Sequence, residues 1–321
     1  MTTAPRRLSL ERVREAARTV DPVFLNTPQF VSEPLWGALG VRTTLKLELL
    51  NPVRSYKGRG ADFLVSPFKD LQPTPQLVCA SAGNFGQAVA YAARKHRLPL
   101  TVYAAENANT LKLGRMRALG AEVRLAGDDF DAAKLAAKAF AAQTGATMLE
   151  DGLNPETAEG AGTIGLELLT LAEPPEVLLV PLGNGALLNG VALAVKATRP
   201  DVRVIAVQAE GAPAMVESWR AGRVVVHEQV DTVADGIAVR LPVPEALDDM
   251  AGLVDDALLV GDEAILRATR LLHEHVGVVA EPSGAVGVAA VSAHAERFRG
   301  AHVGTIVCGG NVTAEQMKRW L

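Results

Sequence analysis

The sequence is short of cysteine, aromatic residues, long apolar runs and charge of one sign, and each shortage removes a class of protein. Two cysteines, Cys79 and Cys308, cannot make a disulfide framework, which points to a reducing compartment, the cytoplasm. The apolar stretch ALLNGVALAVKA is broken by Asn189, Gly190 and Lys196, well short of the ~18 uninterrupted apolar residues that a membrane span needs. The opening MTTAPRRLSLERVREAARTV has no apolar signal-peptide core. Its Leu8, Leu10, Val13, Ala16, Ala17 and Val20 instead recur at the period of an amphipathic helix. A formal charge of −4, with Lys and Arg scattered, offers no basic footprint for nucleic acid or an anionic membrane. The expected partner is a small molecule.

What is abundant is small and apolar: 49% of the 321 residues are hydrophobic, 21% are charged, 4% are aromatic and 29 are glycine. Soluble α/β enzymes have this composition, and the length suits one large domain or two ordinary ones. β-rich runs recur at TLKLELL (44–50), QLVCA (76–80), LTVYAA (100–105), AEVRLA (121–126), EVLLVPL (176–182), VRVIAVQA (202–209) and HVGTIVCG (302–309), most of them followed by a helix-patterned stretch. Such alternation predicts an α/β fold of two open, twisted, mostly parallel sheets flanked by helices, with right-handed crossovers. Residues 51–151 hold three or four strand–helix units and are expected to form a small inserted α/β domain, with 1–50 plus 152–321 as the large one. No repeat or low-complexity linker is present; TAPR (3–6) and QPTP (72–75) read as ordinary loops.

Ligands of open α/β sheets sit where strands lead into helix N-termini, so the strand-to-helix turns carry most information. In VLLVPLGNGALLNGVALAVKA, small residues Gly183, Asn184, Gly185, Ala186 and Leu187 precede a helix running to about Thr198. Converging amides there suit a phosphate, and tight packing is an equal alternative. Neither a P-loop lysine nor the third glycine of a dinucleotide fingerprint follows, which weakens a nucleotide reading. In LVCASAGNFGQAVAYAARKH, Ser81, Ala82, Gly83 and Asn84 precede a helix from about Phe85. Ser81 and Asn84 are either helix caps or part of a carboxylate cradle. In GTIVCGGNVTAEQMKRW, the strand ends at Cys308, Gly309, Gly310 and Asn311. Cys79 reads as inert core; Cys308 keeps more interesting company.

Between the first β-rich run and the next helix, NPVRSYKGRGADFLVS places Lys57 among glycines and cations. Solvation is the usual fate of a lysine, yet a lysine near a phosphate cradle also suits pyridoxal 5'-phosphate (PLP).

Taken together, these pieces resemble the fold-type II PLP enzymes (tryptophan synthase β-like), and within them the serine/threonine dehydratase (threonine ammonia-lyase) family, over most of the chain. The family's Ser-Phe-Lys-x-Arg-Gly motif is matched by Ser55-Tyr56-Lys57-Gly58-Arg59-Gly60, its Ser-x-Gly-Asn loop by Ser81 to Asn84, and its glycine-rich phosphate loop by Gly183 to Leu187. Three more stretches resemble the dehydratase branch, in the right order: Gly162-Thr163-Ile164-Gly165 with Glu167, Ala234 to Val239, and Glu281 to Ala285.

The resemblance implies that Lys57 is catalytic, carrying PLP as a Schiff base and removing the substrate's Cα proton. It implies Asn84 beside the cofactor's 3′-oxygen, Ser81, Ala82, Gly83 and Asn84 around the substrate carboxylate, and Gly183, Asn184, Gly185, Ala186 and Leu187 around the 5′-phosphate. Cys308 would face the pyridine nitrogen, where a neutral thiol favours quick elimination over a long-lived carbanion. Arg59 either adds a positive charge near Lys57 or makes a structural ion pair. Tyr56 stands for the commoner Phe, and Asn184 and Ala186 interrupt the usual glycines, without removing a chemical group.

Serine racemases of the family carry Ser where this chain has Ala82, and alanine transfers no proton. Gln208 and Ala214 stand where some relatives place cation-binding acids, so no metal is expected. The chain stops at Leu321, without the regulatory domain of biosynthetic threonine dehydratases, so feedback control by isoleucine is not expected. The implied activity is β-elimination of L-threonine or L-serine to a 2-oxo acid and ammonia by a cytoplasmic homodimer. Alternatives are a 3-hydroxyaspartate dehydratase, a serine racemase or a β-replacement enzyme of the same fold. A non-catalytic phosphate- or nucleotide-binding α/β protein is the alternative from another class.

Overall fold

The computed structural model describes residues 6–108 and 110–321; the TAPR loop, apart from Arg6, lies outside them. In chain order the strands are β1 (Gln29–Val31), β2 (Thr43–Leu47), β3 (Leu77–Ala80), β4 (Leu100–Ala104), β5 (Glu122–Leu125), β6 (Thr147–Leu149), β7 (Val177–Pro181), β8 (Arg203–Ala209), β9 (Asp256–Val260) and β10 (Val303–Val307). They form a six-stranded sheet, β1-β2-β10-β7-β8-β9, and a four-stranded sheet, β5-β4-β3-β6. Among these strand pairs only β1–β2 is antiparallel. The expected two-sheet, mostly parallel α/β architecture is the observed one.

The helices are α1 (Leu10–Thr19), α2 (Glu33–Leu39), α3 (Lys57–Val65), α4 (Asn84–His96), α5 (Thr110–Ala118), α6 (Phe130–Thr144) and α7 (Pro155–Leu168). After these come α8 (Ala186–Thr198), α9 (Ala214–Ala221), α10 (Pro244–Met250), α11 (Asp262–Val276), α12 (Pro282–Ala293) and α13 (Ala314–Trp320). Among the described residues, no helix is long and apolar enough to cross a membrane.

β7 and β10 are buried at every position, as strands covered on both faces must be, and this is why they read as continuous apolar runs. One face of the large sheet packs on Leu187, Val191 and Ile164 of α8 and α7. The other packs on Ile265, Val286 and Val291 of α11 and α12. The small sheet's core joins Cys79, Val89 and Val102 to Phe63 of α3 and to Ala16, Val20 and Phe24 from the N-terminal segment.

The α7–α8 crossing depends on glycine. A Cβ on Gly190 would lie 1.9 Å from the Ala158 carbonyl oxygen, so the two backbones approach as closely as they do only because no side chain intervenes. Three strands were not legible as runs. β1 and β6 are three residues each and β1 is a partly exposed edge, too short to establish a period. β9 leads directly into the apolar pattern of α11 and reads as part of it.

Parallel pairing aligns the strands so that their carboxyl ends lie together. β10 registers Val307 with Leu47 of β2 and Thr305 with Leu179 of β7; β3 registers Cys79 with Val102 of β4 and Leu149 of β6. The segments following β3, β6, β7 and β10 open on one cavity between the sheets.

Candidate active site

That cavity has a volume of about 680 Å³, and its wall includes Lys57, Ser81, Ala82, Gly83, Asn84, Gly183, Asn184, Leu187 and Cys308. All the site residues expected from the sequence line it except Gly185 and Ala186. Gly185 is the N-cap of α8 at φ +90°, and Ala186 opens the helix and is buried. A positive φ favours glycine at that cap. No side chain caps α8, so its first-turn amides keep the unpaired donors that an anion seeks.

Lys57 opens α3, and its loop is stitched to the end of β10. Tyr56 N donates to the Cys308 carbonyl at 3.0 Å, Gly310 N donates to the Arg54 carbonyl at 2.9 Å, and Ser55 bridges Gly309. The Asn51 side-chain oxygen accepts from the amides of Val53 at 3.1 Å and Ser55 at 3.3 Å, which folds the loop over. Lysine and cysteine are therefore presented to the cavity by one backbone framework.

The Lys57 ammonium donates to both oxygens of Asp151, at 2.8 and 2.7 Å, and lies 4.6 Å from the centre of the Tyr56 ring. Burial alone would lower its pKa; Asp151 and Tyr56 outweigh burial and hold it above the ordinary lysine value. Resting Lys57 in this arrangement is a cation. The Cys308 thiol is pushed well up, first by burial and then by Glu281, and donates to the Ser283 carbonyl at 3.5 Å. It stays neutral, the state that the sequence reading required of it.

Ser81 behaves as a cap, its hydroxyl accepting from the amides of Gly83 at 3.2 Å and Gly86 at 3.0 Å. The capping reading of Asn84 is corrected: the N-cap of α4 is Gly83, and Asn84 is the first helical residue. Its side chain faces Glu281, donating at 2.7 Å, and accepts from Asn311 at 2.8 Å. Asn311 also donates through its backbone to Glu281 at 3.0 Å and accepts from Arg115 at 2.7 Å. Burial first, and then Asp235, raises the Glu281 pKa. The Ala234–Val239 and Glu281–Ala285 stretches meet here, Gly236 N donating to Ser283 Oγ at 3.0 Å.

Both alternatives for Arg59 are now distinguished. Its guanidinium is fully buried and bound to Glu48 at 2.8 Å through two nitrogens, to Thr163 at 2.9 Å and to Glu167. Glu167 also takes Lys46. Arg59 thus makes a structural ion pair that ties α3 to Glu48 and Glu167, and the charge partner of Lys57 is Asp151.

Sequence reasoning missed Asp151 and Lys112, both of which line the cavity. Asp151 follows β6 as Ser81 follows β3 and Cys308 follows β10; recognising β6 would have pointed to it. Lys112 comes from α5 and pairs with Asp235 at 2.7 Å, a contact with no signature in spacing.

A lysine amine, an open helix N-terminus and a neutral thiol around a cavity of this size suit a phosphate-bearing aldehyde cofactor. Comparison with known proteins agrees. Residues 20–309 match the family described as pyridoxal-phosphate dependent enzyme. The L-threonine ammonia-lyase of Thermotoga maritima is 38% identical over 312 residues, covering 97% of this chain and 78% of that protein. Among solved structures, the T.th. threonine deaminase superposes with a TM-score of 0.88 at 35% identity, covering 95% of this chain and 99% of that one. Maize serine racemase superposes with a TM-score of 0.91 at 29% identity, covering 97% of this chain and 96% of that one.

Proposed function

The chain belongs to the pyridoxal-phosphate dependent enzyme family, and from that premise we propose that it is an ammonia-lyase acting on L-threonine or L-serine. The observation that carries the reading is the meeting of Lys57, the Ser81–Asn84 turn, the start of α8 and Cys308 on one cavity. Lys57 would hold the cofactor covalently as a Schiff base, and the Gly183–Leu187 segment would hold its phosphate. When bound, PLP supplies the electron sink for a carbanion at Cα. Lys57 removes the Cα proton, and the Ser81–Asn84 turn takes the substrate carboxylate and so orients the Cα–H bond towards the amine. Loss of water leaves an enamine, which tautomerises and hydrolyses to a 2-oxo acid and ammonia.

The charges on the cavity wall favour a neutral hydroxy amino acid over a dicarboxylic one. Lys57 is paired with Asp151, Lys112 with Asp235, and Arg240 with Asp131, so no uncommitted cation among the described lining residues awaits a second carboxylate. Incubation with L-serine, L-threonine and L-threo-3-hydroxyaspartate, following 2-oxo acid and ammonia, tests this. Product should form from the first two, with the dicarboxylic substrate at least about tenfold poorer in kcat/KM, since like-charge contacts cost several kcal/mol. No 2-oxo acid from any of them would end the ammonia-lyase reading.

Ala82 lines the cavity without a proton to give. Ala82→Ser should raise interconversion of L- and D-serine, read by chiral chromatography, by about tenfold or more, towards the contribution of a positioned acid/base. An unchanged D-serine yield would remove Ala82 from the explanation of reaction type.

The same reading makes the enzyme a cytoplasmic homodimer. Buried, unbridged Cys79 and Cys308 support the compartment, and the exposed apolar side chains of Val23, Phe30 and Trp36 suit a subunit interface.

A further inference from the structure

We propose that Asp151 is the counter-ion of the Lys57 nitrogen, a carboxylate fixed in the cavity wall to keep that nitrogen protonated and aimed inward. The inference rests on the pyridoxal-phosphate reading and deepens it, by naming the group on which the charge state of the reacting nitrogen depends.

Both carboxylate oxygens lie within hydrogen-bond reach of Nζ, at 2.8 and 2.7 Å, and both side chains are only slightly exposed, 13% for Lys57 and 16% for Asp151. The pair joins the two sheets, since Asp151 follows β6 of the small one while the Lys57 loop is tied to β10 of the large one. It is not a pair of mobile surface side chains.

The backbone beside Asp151 is held from several directions. Gly152, at φ +78°, abuts the start of the phosphate segment so closely that a Cβ there would lie 2.6 Å from the Asn184 carbonyl oxygen. Gly152 N donates to Thr157 Oγ1 at 3.3 Å, and the Gly152 carbonyl accepts from Arg7 at 3.0 Å. The carboxylate is preorganised relative to both Lys57 and the place expected for the phosphate.

The other groups around Lys57 do not substitute for it. Tyr56 presents its ring face and a hydroxyl whose own pKa is pushed up, first by burial. The Cys308 thiol is neutral. Glu281 is occupied by Asn84 and the Asn311 amide, Asp235 by Lys112, and Asp131 and Asp129 by Arg240. Among the described residues, Asp151 is the one carboxylate that Nζ touches.

Burial favours the neutral amine, so a fixed negative charge decides the outcome. The consequence is also kinetic. When Lys57 takes the Cα proton, the Cα–H bond breaks, an Nζ–H bond forms, the C–H electron pair stays with the substrate, and positive charge develops on Nζ. Asp151 is already placed to stabilise that charge, which makes Lys57 a stronger base.

The test is the visible spectrum of the cofactor-loaded protein, titrated from neutral to alkaline pH in the wild type and in Asp151→Asn, Asp151→Ser and Asp151→Glu. The band of the protonated Lys57-linked cofactor should give way at a pH about one to three units lower in the two neutral variants, the shift expected for losing an opposite charge in contact. Asp151→Glu should restore at least part of it. Asp151→Ser carries the same prediction if the Asn variant does not fold. A normal band with an unmoved midpoint in the neutral variants overturns this inference alone. A wild-type protein with no visible band overturns it together with the pyridoxal-phosphate reading.

Discussion

Turnover of L-threonine by Lys57→Ala is expected to fall at least about 10⁴-fold, because in the proposed reaction one substitution removes both the covalent hold on the cofactor and the base. A positioned acid or base alone contributes about 10²–10⁴, so a loss smaller than a hundredfold would mean that another group does the work. Three readings check this together: 2-oxo acid formation, the visible band, and borohydride reduction, which should fix the cofactor to Lys57 in the wild type and to nothing in the variant. The fold should survive. Lys57 is the first residue of α3, with its side chain towards the cavity, and the loop that carries it is held through backbone bonds from Tyr56 and Gly310. Far-ultraviolet circular dichroism should therefore be unchanged.

The largest expected loss of stability comes from Arg59→Gln. Two residues along α3 from Lys57, Arg59 neutralises Glu48, which is wholly buried, and shares Glu167 with Lys46. Burial would by itself lower the guanidinium pKa, but Glu48 and Glu167 more than offset this, so Arg59 is charged at every accessible pH. Removing it strands a desolvated carboxylate. Breaking a buried pair from one side costs about 3–5 kcal/mol, a large share of the ~5–15 kcal/mol that holds a typical domain together.

Denaturant unfolding should register the Arg59→Gln loss. Adding Glu48→Gln to Arg59→Gln should recover part of it, since the orphaned charge is then gone. A single variant within about 1 kcal/mol of wild type would show that the ion pair is not structural. Activity should also fall, because α3 presents Lys57.

How much of this was legible beforehand differs by element. Seven of the strands announced themselves as β-rich runs, and β7 and β10 are the clearest cases, because parallel strands covered on both faces are continuously apolar. β6 was hidden by being three residues long, and with it went Asp151. The turns were legible because glycine and serine at strand ends have few uses, and Gly185 at φ +90° and the Ser81 hydroxyl over two amides show why those residues stand there.

The sequence by itself determined the fold class and the three glycine-rich turns, because these rest on local chemistry: apolar periodicity and backbone freedom at a cap; the role proposed for Lys57 came from the family resemblance of its motif. The charge partners were left to the tertiary structure. Asp151, 94 positions from Lys57, and Lys112, 123 from Asp235, meet only because the fold brings the segment after β6, the start of α3, α5 and the Ala234–Val239 stretch to one cavity. Arg59 was left between two roles for the same reason. An ion pair is defined by distance in space, which spacing along the chain does not encode.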